Sequence, residues 1–597
     1  MDNYKYGMVG NCRSAALISE KGSIDWWCLP EFDSSSVFGA LLDEDKGGRI
    51  EIITEEAYQT NQSYQADTNI LCTYFSDGNN SFEILDFMPR YKTENGGYFT
   101  PPETCRLFRV ISGKPKIRIR YDPHLNYAMG ETKHIITGKY IKSYCEYPEY
   151  ESIYLYASFP LKDILDQQEI TLHDIGYMLI SYNQKLMDIN NSQIYLEYQR
   201  TKVYWLNWVS KSRKFDLYNN EITRSLLILK LLTYQRTGAI LAAATTSLPE
   251  ELGKKRNWDY RFCWIRDASM TLETLVELGH FNAAKRYMTF IKNVIILKSE
   301  SFQIMYGIRG ERDLEEKTLD YLKGYQGSKP VRIGNAAYRQ SQHDISGFLL
   351  DLIYLYFLHF AGTQDESEDI WSITRSMVRT VSANWQKPDH GIWEIRGEKK
   401  QYVFSKIHCW VAVDRAVKIA RLLNQKQYLE EWEKLAVKIR NDILLKGWNQ
   451  RKKTFTQVYG EESLDASLLL MEAYGFLSAA DEKYRSTVLA IKKELYHDGL
   501  MYRYNSPDEL GYPVSSFTVC NFWLIGSLYK IGFQDEARKI FNNLLGLSNH
   551  LGLFSEDIDF KTKRQLGNFP QAYSHIALVK VAMIFSREKP SPVFLKP

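Results

Sequence analysis

Three segments of this chain set acids and bases beside flat apolar rings. The first is RNWDYRFCWIRD (Arg256 to Asp267), in which aromatic residues alternate with Arg and Asp before a predicted helix. Aromatic faces suit the C–H side of a sugar ring, and Arg and Asp give directional hydrogen bonds to hydroxyls. Asp267 also fits a plainer role, capping the helix that follows it. The second is PDHGIWEIRGEKKQYVFSK (Pro388 to Lys406), where Glu394 follows Trp393. A carboxyl beside Trp is partly desolvated, which raises its pKa and suits a general acid. A surface Glu paired with Arg396 is the alternative. The third is LFSEDIDFKTKRQLGNFPQAYSH (Leu553 to His575), with Glu556, Asp557 and Asp559 in a loop leading into the last predicted helix. It reads equally as an acidic or capping loop.

Two carboxylates roughly 6.5–9.5 Å apart suit inverting hydrolysis of a glycosidic bond, one protonating the leaving oxygen and the other activating water. Glu394 and Glu556 are distant in sequence, so the fold must bring them together. Residues 1–200 are patterned as strands. KIRIRY (Lys116 to Tyr121) alternates charged and apolar side chains, and SIYLYAS (Ser152 to Ser158), YMLISY (Tyr177 to Tyr182) and QIYLEY (Gln193 to Tyr198) read as further strands between turn signals. Many short strands with regular turns predict an antiparallel β-sandwich. Residues 201–217 read as a linker.

From 218 to 597 the apolar spacing is helical. Ile345, Phe348, Leu349, Leu352, Ile353 and Tyr356 share one stripe, as do Trp410, Val413, Val417 and Ala420. About twelve such segments are counted: 218–243, 266–280, 282–297, 343–361, 366–385, 404–423, 427–446, 462–473, 480–496, 514–531, 533–548 and 570–586. Paired as six hairpins they close an (α/α)6 barrel, whose loops of alternate helices gather at one end. A helical solenoid competes, but no repeat signature supports it.

Composition narrows the function. The 597 residues carry 75 Lys plus Arg against 72 Asp plus Glu, a net +3, giving no electrostatic case for nucleic acid or a membrane surface as partner. No nucleotide-binding loop, H-E-x-x-H or Cys/His cluster occurs, so no metal and no cofactor is expected. The eight cysteines are scattered and read as buried thiols. Neither a secretory leader nor a long apolar span is evident, so a cytoplasmic protein is expected. The segment GSIDWW reads as a loop that either shapes the pocket or plugs a domain interface.

With these motifs in hand, the chain resembles glycoside hydrolase family 15, the glucoamylase family, and within it the non-secreted prokaryotic glucoamylase-like and trehalase-like branch. The resemblance rests on GSIDWWCLPEFDSSSVFGALLD, ATTSLPEELGKKRNWDYRFCWIRDAS, IMYGIRGERDLEEKTLDYLKGYQGSKPVRIGNAA, GIWEIRG, SKIHCWVAVDRA and SEDID…RQLGNFPQAYSHIALV, and spans nearly the whole chain. It implies a sandwich (a supersandwich) packed on an (α/α)6 barrel, and inversion at the anomeric carbon. It puts the general acid on Glu394, the general base on Glu556, the glucose-holding Trp-x-Arg-Asp motif on Trp264, Arg266 and Asp267, and a Tyr near the attacking water on Tyr260. Trp393 is expected to line the site. Two places depart from the family pattern: Ser346 and Phe348 stand where relatives often carry Tyr and Glu, and Val514-Ser515-Ser516 where relatives often carry a Glu-Gly pair.

The reading that follows is an exo-acting α-glucoside hydrolase releasing β-glucose from malto- or isomalto-oligosaccharides. The alternative within the family is α,α-trehalase, which needs a closed pocket for the leaving glucose where a glucoamylase needs an open groove. A disaccharide phosphorylase and a non-catalytic sugar-binding protein are more remote. The partner is a small saccharide, and self-association is left open.

Overall fold

The computed structural model describes residues 4–187, 189–296, 302–360 and 363–589. The far ends of the expected helical segments at 297 and 361, and the stretch 590–597, lie outside the described residues.

The N-terminal part is a sandwich of two antiparallel sheets. One has seven strands, among them Tyr6–Gly10, Ala15–Ser19, Ile24–Cys28, Arg49–Ile53 and Lys116–Asp122. The other has eight, with Ser81–Phe87, Glu103–Ser112, Glu151–Ala157 and Ile175–Tyr182 at its centre. Strand side chains alternate between faces, and the core follows that rule. Ile84, Phe108, Met178 and Ile180 face Ile18, Ile24, Trp27 and Ile119 between the sheets. Leu85, Phe87, Leu107 and Leu179 point the other way, into the core shared with the helices.

QIYLEY is helical, contrary to its reading as a strand. It lies in a connecting helix, Asn191–Val209, whose first turn is capped by the Asn190 side chain accepting from the Gln193 backbone N–H at 3.0 Å. Its buried residues Ile194, Tyr198, Thr201, Trp205 and Val209 recur every three or four positions. That longer period, invisible in a six-residue window, outweighs the β-favouring composition. The helix crosses residue 200, where the sequence reading ends the sandwich. The division into 1–200, 201–217 and 218–597 is retained as a proposal, the helix being the connection.

The remaining helices are α1 (Asn219–Leu231), α2 (Ile265–Glu277), α3 (Phe281–Ile296), α4 (Ile345–His359), α5 (Gln364–Asn384), α6 (Val403–Leu422), α7 (Leu429–Lys446), α8 (Glu482–Leu495), α9 (Thr518–Lys530), α10 (Gln534–Leu545) and α11 (Ala572–Phe585), with a 3-10 segment at Ala466–Met471. Each expected helical segment overlaps one of these, 218–243 shortened to α1 and 462–473 to the 3-10 turn. Neighbour packing closes a ring in the order α2, α4, α6, the 3-10 segment, α9, α11 and back to α2. Around it, α3 packs on α2, α5 on α4, α7 on α6, α8 on the 3-10 segment, α10 on α9 and α1 on α11. The molecule is therefore a β-sandwich joined to an (α/α)6 barrel.

Burial explains the two rings. In α9 every residue from Thr518 to Leu528 is buried, as an inner helix apolar all round must be. Outer α10 buries only Ala537, Ile540, Phe541 and Leu544, a single stripe. GSIDWW is a strand from Ile24 onward and not a loop. Within it Trp27 faces the sandwich core, while Trp26 faces the helices and donates its indole N–H to the Ala244 carbonyl at 3.0 Å. The segment thus plugs the interface between the two parts, and it is absent from the wall of the cavity described next. All eight cysteines are unpaired, and all but Cys72 are fully buried.

Candidate active site

A cavity opens where three of the inner helices begin. Trp264 precedes α2, Phe517 precedes α9 and Gln571 precedes α11, and all three line the cavity. None of these three helix starts has a side-chain cap. Helix N-termini carry unsatisfied N–H groups and partial positive charge, a setting that favours polar and anionic groups.

Five of the expected residues sit together in the wall with Glu394: Tyr260, Trp264, Arg266, Asp267 and Trp393. Glu394 Oε1 accepts from the Trp264 indole N–H at 2.6 Å and from Arg266 at 3.3 Å. Glu394 is therefore not a surface partner of Arg396. Arg396 instead pairs with Glu316 at 2.8 Å and stacks on Trp258, its guanidinium carbon 4.0 Å from a ring centroid. Nor is Trp393 the Trp that holds the Glu394 carboxyl; its indole N–H donates to Asp465, at 2.9 and 3.0 Å to the two oxygens. Consecutive residues point apart in this loop, so the indole that touches Glu394 comes from 130 positions away.

The Glu394 backbone is unusual. Its φ is +60°, in the left-handed region that a non-glycine residue enters at a cost of about 1–3 kcal/mol. The turn begins at Gly391, φ +68°, where a Cβ would lie 2.9 Å from the Tyr402 ring. The Gln340 amide holds the Glu394 carbonyl at 2.9 Å. Backbone strain of this kind clusters at active sites and ligand clamps.

Asp267 is the third residue of α2 and not its cap, a place that Trp264 takes. Arg266 donates to Asp267 at 3.2 Å, to Gln342 at 3.2 Å and to the Ile392 carbonyl at 3.1 Å, which fixes its fork. Burial pushes Asp267 up to about 6, with Arg266 opposing.

Glu556 lies behind this wall and does not line the cavity. It is completely buried, just before the strand Asp557–Asp559, which pairs with Ser515–Phe517. Its Oε2 accepts from the Asn568 backbone N–H at 3.1 Å, and Oε1 accepts no well-formed hydrogen bond from the protein. Tyr260, which lines the cavity, lies beside it. The Tyr260 phenol is influenced by both Glu394 and Glu556, and burial keeps it protonated, so it remains a donor. Burial raises the Glu556 pKa well above the carboxylate range, and nearby Glu250 adds to the rise; Tyr260, the Asn568 N–H and Arg503 oppose it. Gly567 makes room for the carboxyl: a Cβ there would stand 2.6 Å from Oε2, and its φ is +70°. The other two acids of the loop take separate roles. Asp557 accepts from Ser515 Oγ at 2.9 Å, and Asp559 closes a turn with Thr562 at 2.7 Å.

Several wall residues carry no local sequence signal. Arg503 pairs with Glu250 at 2.8 Å across 253 positions. Trp258 and Tyr573 fall inside quoted motifs, and only the fold singles them out. The departures from the family pattern lie off the wall. Phe348 stacks on His408 inside the barrel at 4.1 Å, and Ser346 is buried near it on α4. Ser515 and Ser516 belong to the strand behind Glu556, and Val514 is exposed.

The fold and the wall together define a glycosidase, a conclusion that comparison with known proteins supports. Residues 216–583 match the model for glycosyl hydrolases family 15, and residues 4–142 match a trehalase-like N-terminal domain. The chain belongs to glycoside hydrolase family 15. It is 36% identical over 587 residues to a trehalase of Thermoplasma volcanium, covering 97% of this chain and 92% of that one. It is 34% identical to a trehalase of Mycolicibacterium smegmatis, covering 97% and 90%. Among solved structures, a bacterial glucoamylase complexed with acarbose matches with a TM-score of 0.70 at 13% identity, over 97% of this chain and 93% of that one, a likeness of fold. Membership of this family makes the chain's substrate a glycoside. Among the described residues no helix is long and apolar enough to cross a membrane.

Proposed function

We propose that this chain hydrolyses α,α-trehalose with inversion. The reading rests most on Glu394, a strained carboxylate held by Trp264 and Arg266 in the wall of an aromatic, charged cavity. The names of the curated relatives favour trehalose over the malto-oligosaccharides that the motifs alone suggest.

In this mechanism Trp264, Arg266 and Asp267 hold one glucose ring. Both protein donors to Glu394 fall on Oε1, leaving Oε2 to carry the proton given to the bridging oxygen. Glu556 takes a proton from water as it attacks the anomeric carbon, with Oε1 as the accepting atom. Tyr260 lines the cavity beside the base; its neutral phenol donates to the Glu556 carboxylate and orients it. Burial strengthens these interactions because little water competes with them.

Glucose release from trehalose, maltose, maltotriose, isomaltose and starch tests the substrate. Trehalose should give the highest kcat/KM. Faster release from maltotriose or starch than from trehalose would overturn this reading.

A further inference from the structure

Part of the cavity wall is a segment, residues 504–514, that contains neither helix nor extended strand. Asp508, Glu509 and Leu510 line the cavity from it. Two contacts anchor it to the rest of the wall. Arg256, from the loop that leads to α2, donates to Asp508 Oδ1 at 2.6 Å and to the Gly511 carbonyl at 3.0 Å. Glu509 accepts from the backbone N–H of Arg396 at 3.0 Å, two residues beyond Glu394. The Tyr504 hydroxyl donates to Asp508 Oδ2 at 2.6 Å, so both oxygens of one carboxylate are committed to holding the segment. Internally it is a tight turn: Asp508 and Gly511 exchange backbone hydrogen bonds at 3.1 and 3.0 Å, with Gly511 at φ +95°. Tyr512 and Val514, further along it, are exposed.

We propose that this segment is a cap that closes the leaving-group end of the cavity and limits the substrate to a disaccharide. The proposal rests on the assignment of Glu394 as the point of bond cleavage. The buried end of the cavity, with Trp264, Arg266 and Asp267, takes the ring that is attacked. A leaving sugar on the other side of Glu394 meets Arg256, Arg396 and the cap. A third sugar residue would have to pass through the Arg256–Asp508 and Arg396–Glu509 contacts. Asp508 and Glu509 are therefore specificity-determining residues, the first because it holds the cap down and the second because it ties the cap to the Glu394 loop.

The test is the length ratio, kcat/KM for maltotetraose divided by kcat/KM for whichever of trehalose or maltose the wild type cleaves faster. It is read in wild type, Asp508→Ala, Glu509→Ala, and a chain with residues 506–513 replaced by Gly-Gly. The same ratio is read as affinities by calorimetry in the Glu394→Gln background, which needs no turnover. The wild-type ratio should be far below one and should rise by about tenfold or more on opening the cap, mainly through KM for the longer sugar. Glu509→Ala removes one exposed contact and keeps the test alive if the shortened loop fails to fold. A wild type that takes maltotetraose as well as a disaccharide, a ratio that moves less than about threefold in every folded variant, or no sugar binding at all would each overturn the cap. A wild type that cleaves maltose but not trehalose would overturn the substrate reading alone, because the length ratio is then taken on maltose and decides the cap independently.

Discussion

At the scale of single residues, the site depends on how two carboxylates are made unlike. Glu394 is reached from the cavity, fixed by an indole and a guanidinium on one oxygen. Glu556 is completely buried, and its Oε1 accepts no well-formed hydrogen bond. Replacing either by Gln should lower kcat by about 10²–10⁴-fold with the fold intact, read by steady-state kinetics and circular dichroism. Gly567→Ala should lower activity too, since the new methyl contests the space of Oε2 and the backbone at φ +70° resists it. The pH profile carries a sharper expectation. A general base must be ionised, and the Glu556 pKa is raised by burial and by Glu250, so kcat/KM should fall with decreasing pH from a value above the ordinary Glu range. Tyr260 opposes that rise, so Tyr260→Phe should move the acidic limb to still higher pH. An unmoved limb in that variant would mean that the phenol does not support the base.

At the scale of elements, three inner helices, α2, α9 and α11, place their starts around one opening, and each of these starts supplies a wall residue from a different part of the chain. The apolar periodicity of α4 and α6 was sufficient to find these helices, because a long apolar segment has few other places to go. The residues that touch across the opening were not legible in the same way. Composition around Glu394 pointed to Trp393 and Arg396 as its partners, yet Trp264 and Arg266 hold it, because a turn at φ +60° sends neighbours in different directions. Their candidacy came from the family pattern. The cap residues had no signal at all, since an Asp-Glu-Leu-Gly turn is ordinary until Arg256 is seen beneath it. Short windows also misread QIYLEY and GSIDWW, where tertiary packing decides between helix, strand and loop. The GSIDWW strand offers a test of the joint between sandwich and barrel. Trp26→Phe removes the donor to the buried Ala244 carbonyl and should cost about 1–3 kcal/mol, seen as a lower denaturation midpoint with little change in KM.

At the scale of the whole molecule, several buried carboxyls are held above their ordinary range by desolvation, with Asp389 and Glu103 each at about 7. The folded state of such a group binds its proton more tightly than the unfolded chain does. Stability therefore falls as pH rises from the unfolded pKa near 4 through the folded value. Asp389→Asn removes that dependence at one site. Relative to wild type, the variant should gain up to about 1.4 kcal/mol per pH unit between roughly pH 4 and 7, then level off. Urea denaturation at a series of pH values measures this; a constant difference across the range would show that Asp389 titrates normally.

The central claim, water activated by Glu556 opposite an acid at Glu394, is tested most directly by proton NMR of the first glucose formed from trehalose, recorded before mutarotation. Both anomeric carbons of trehalose are α. Attack from the opposite face inverts one, while the other leaves with its configuration untouched. The mechanism proposed here requires α- and β-glucose in equal amounts at the earliest times. α-Glucose alone would mean retention and would contradict the account.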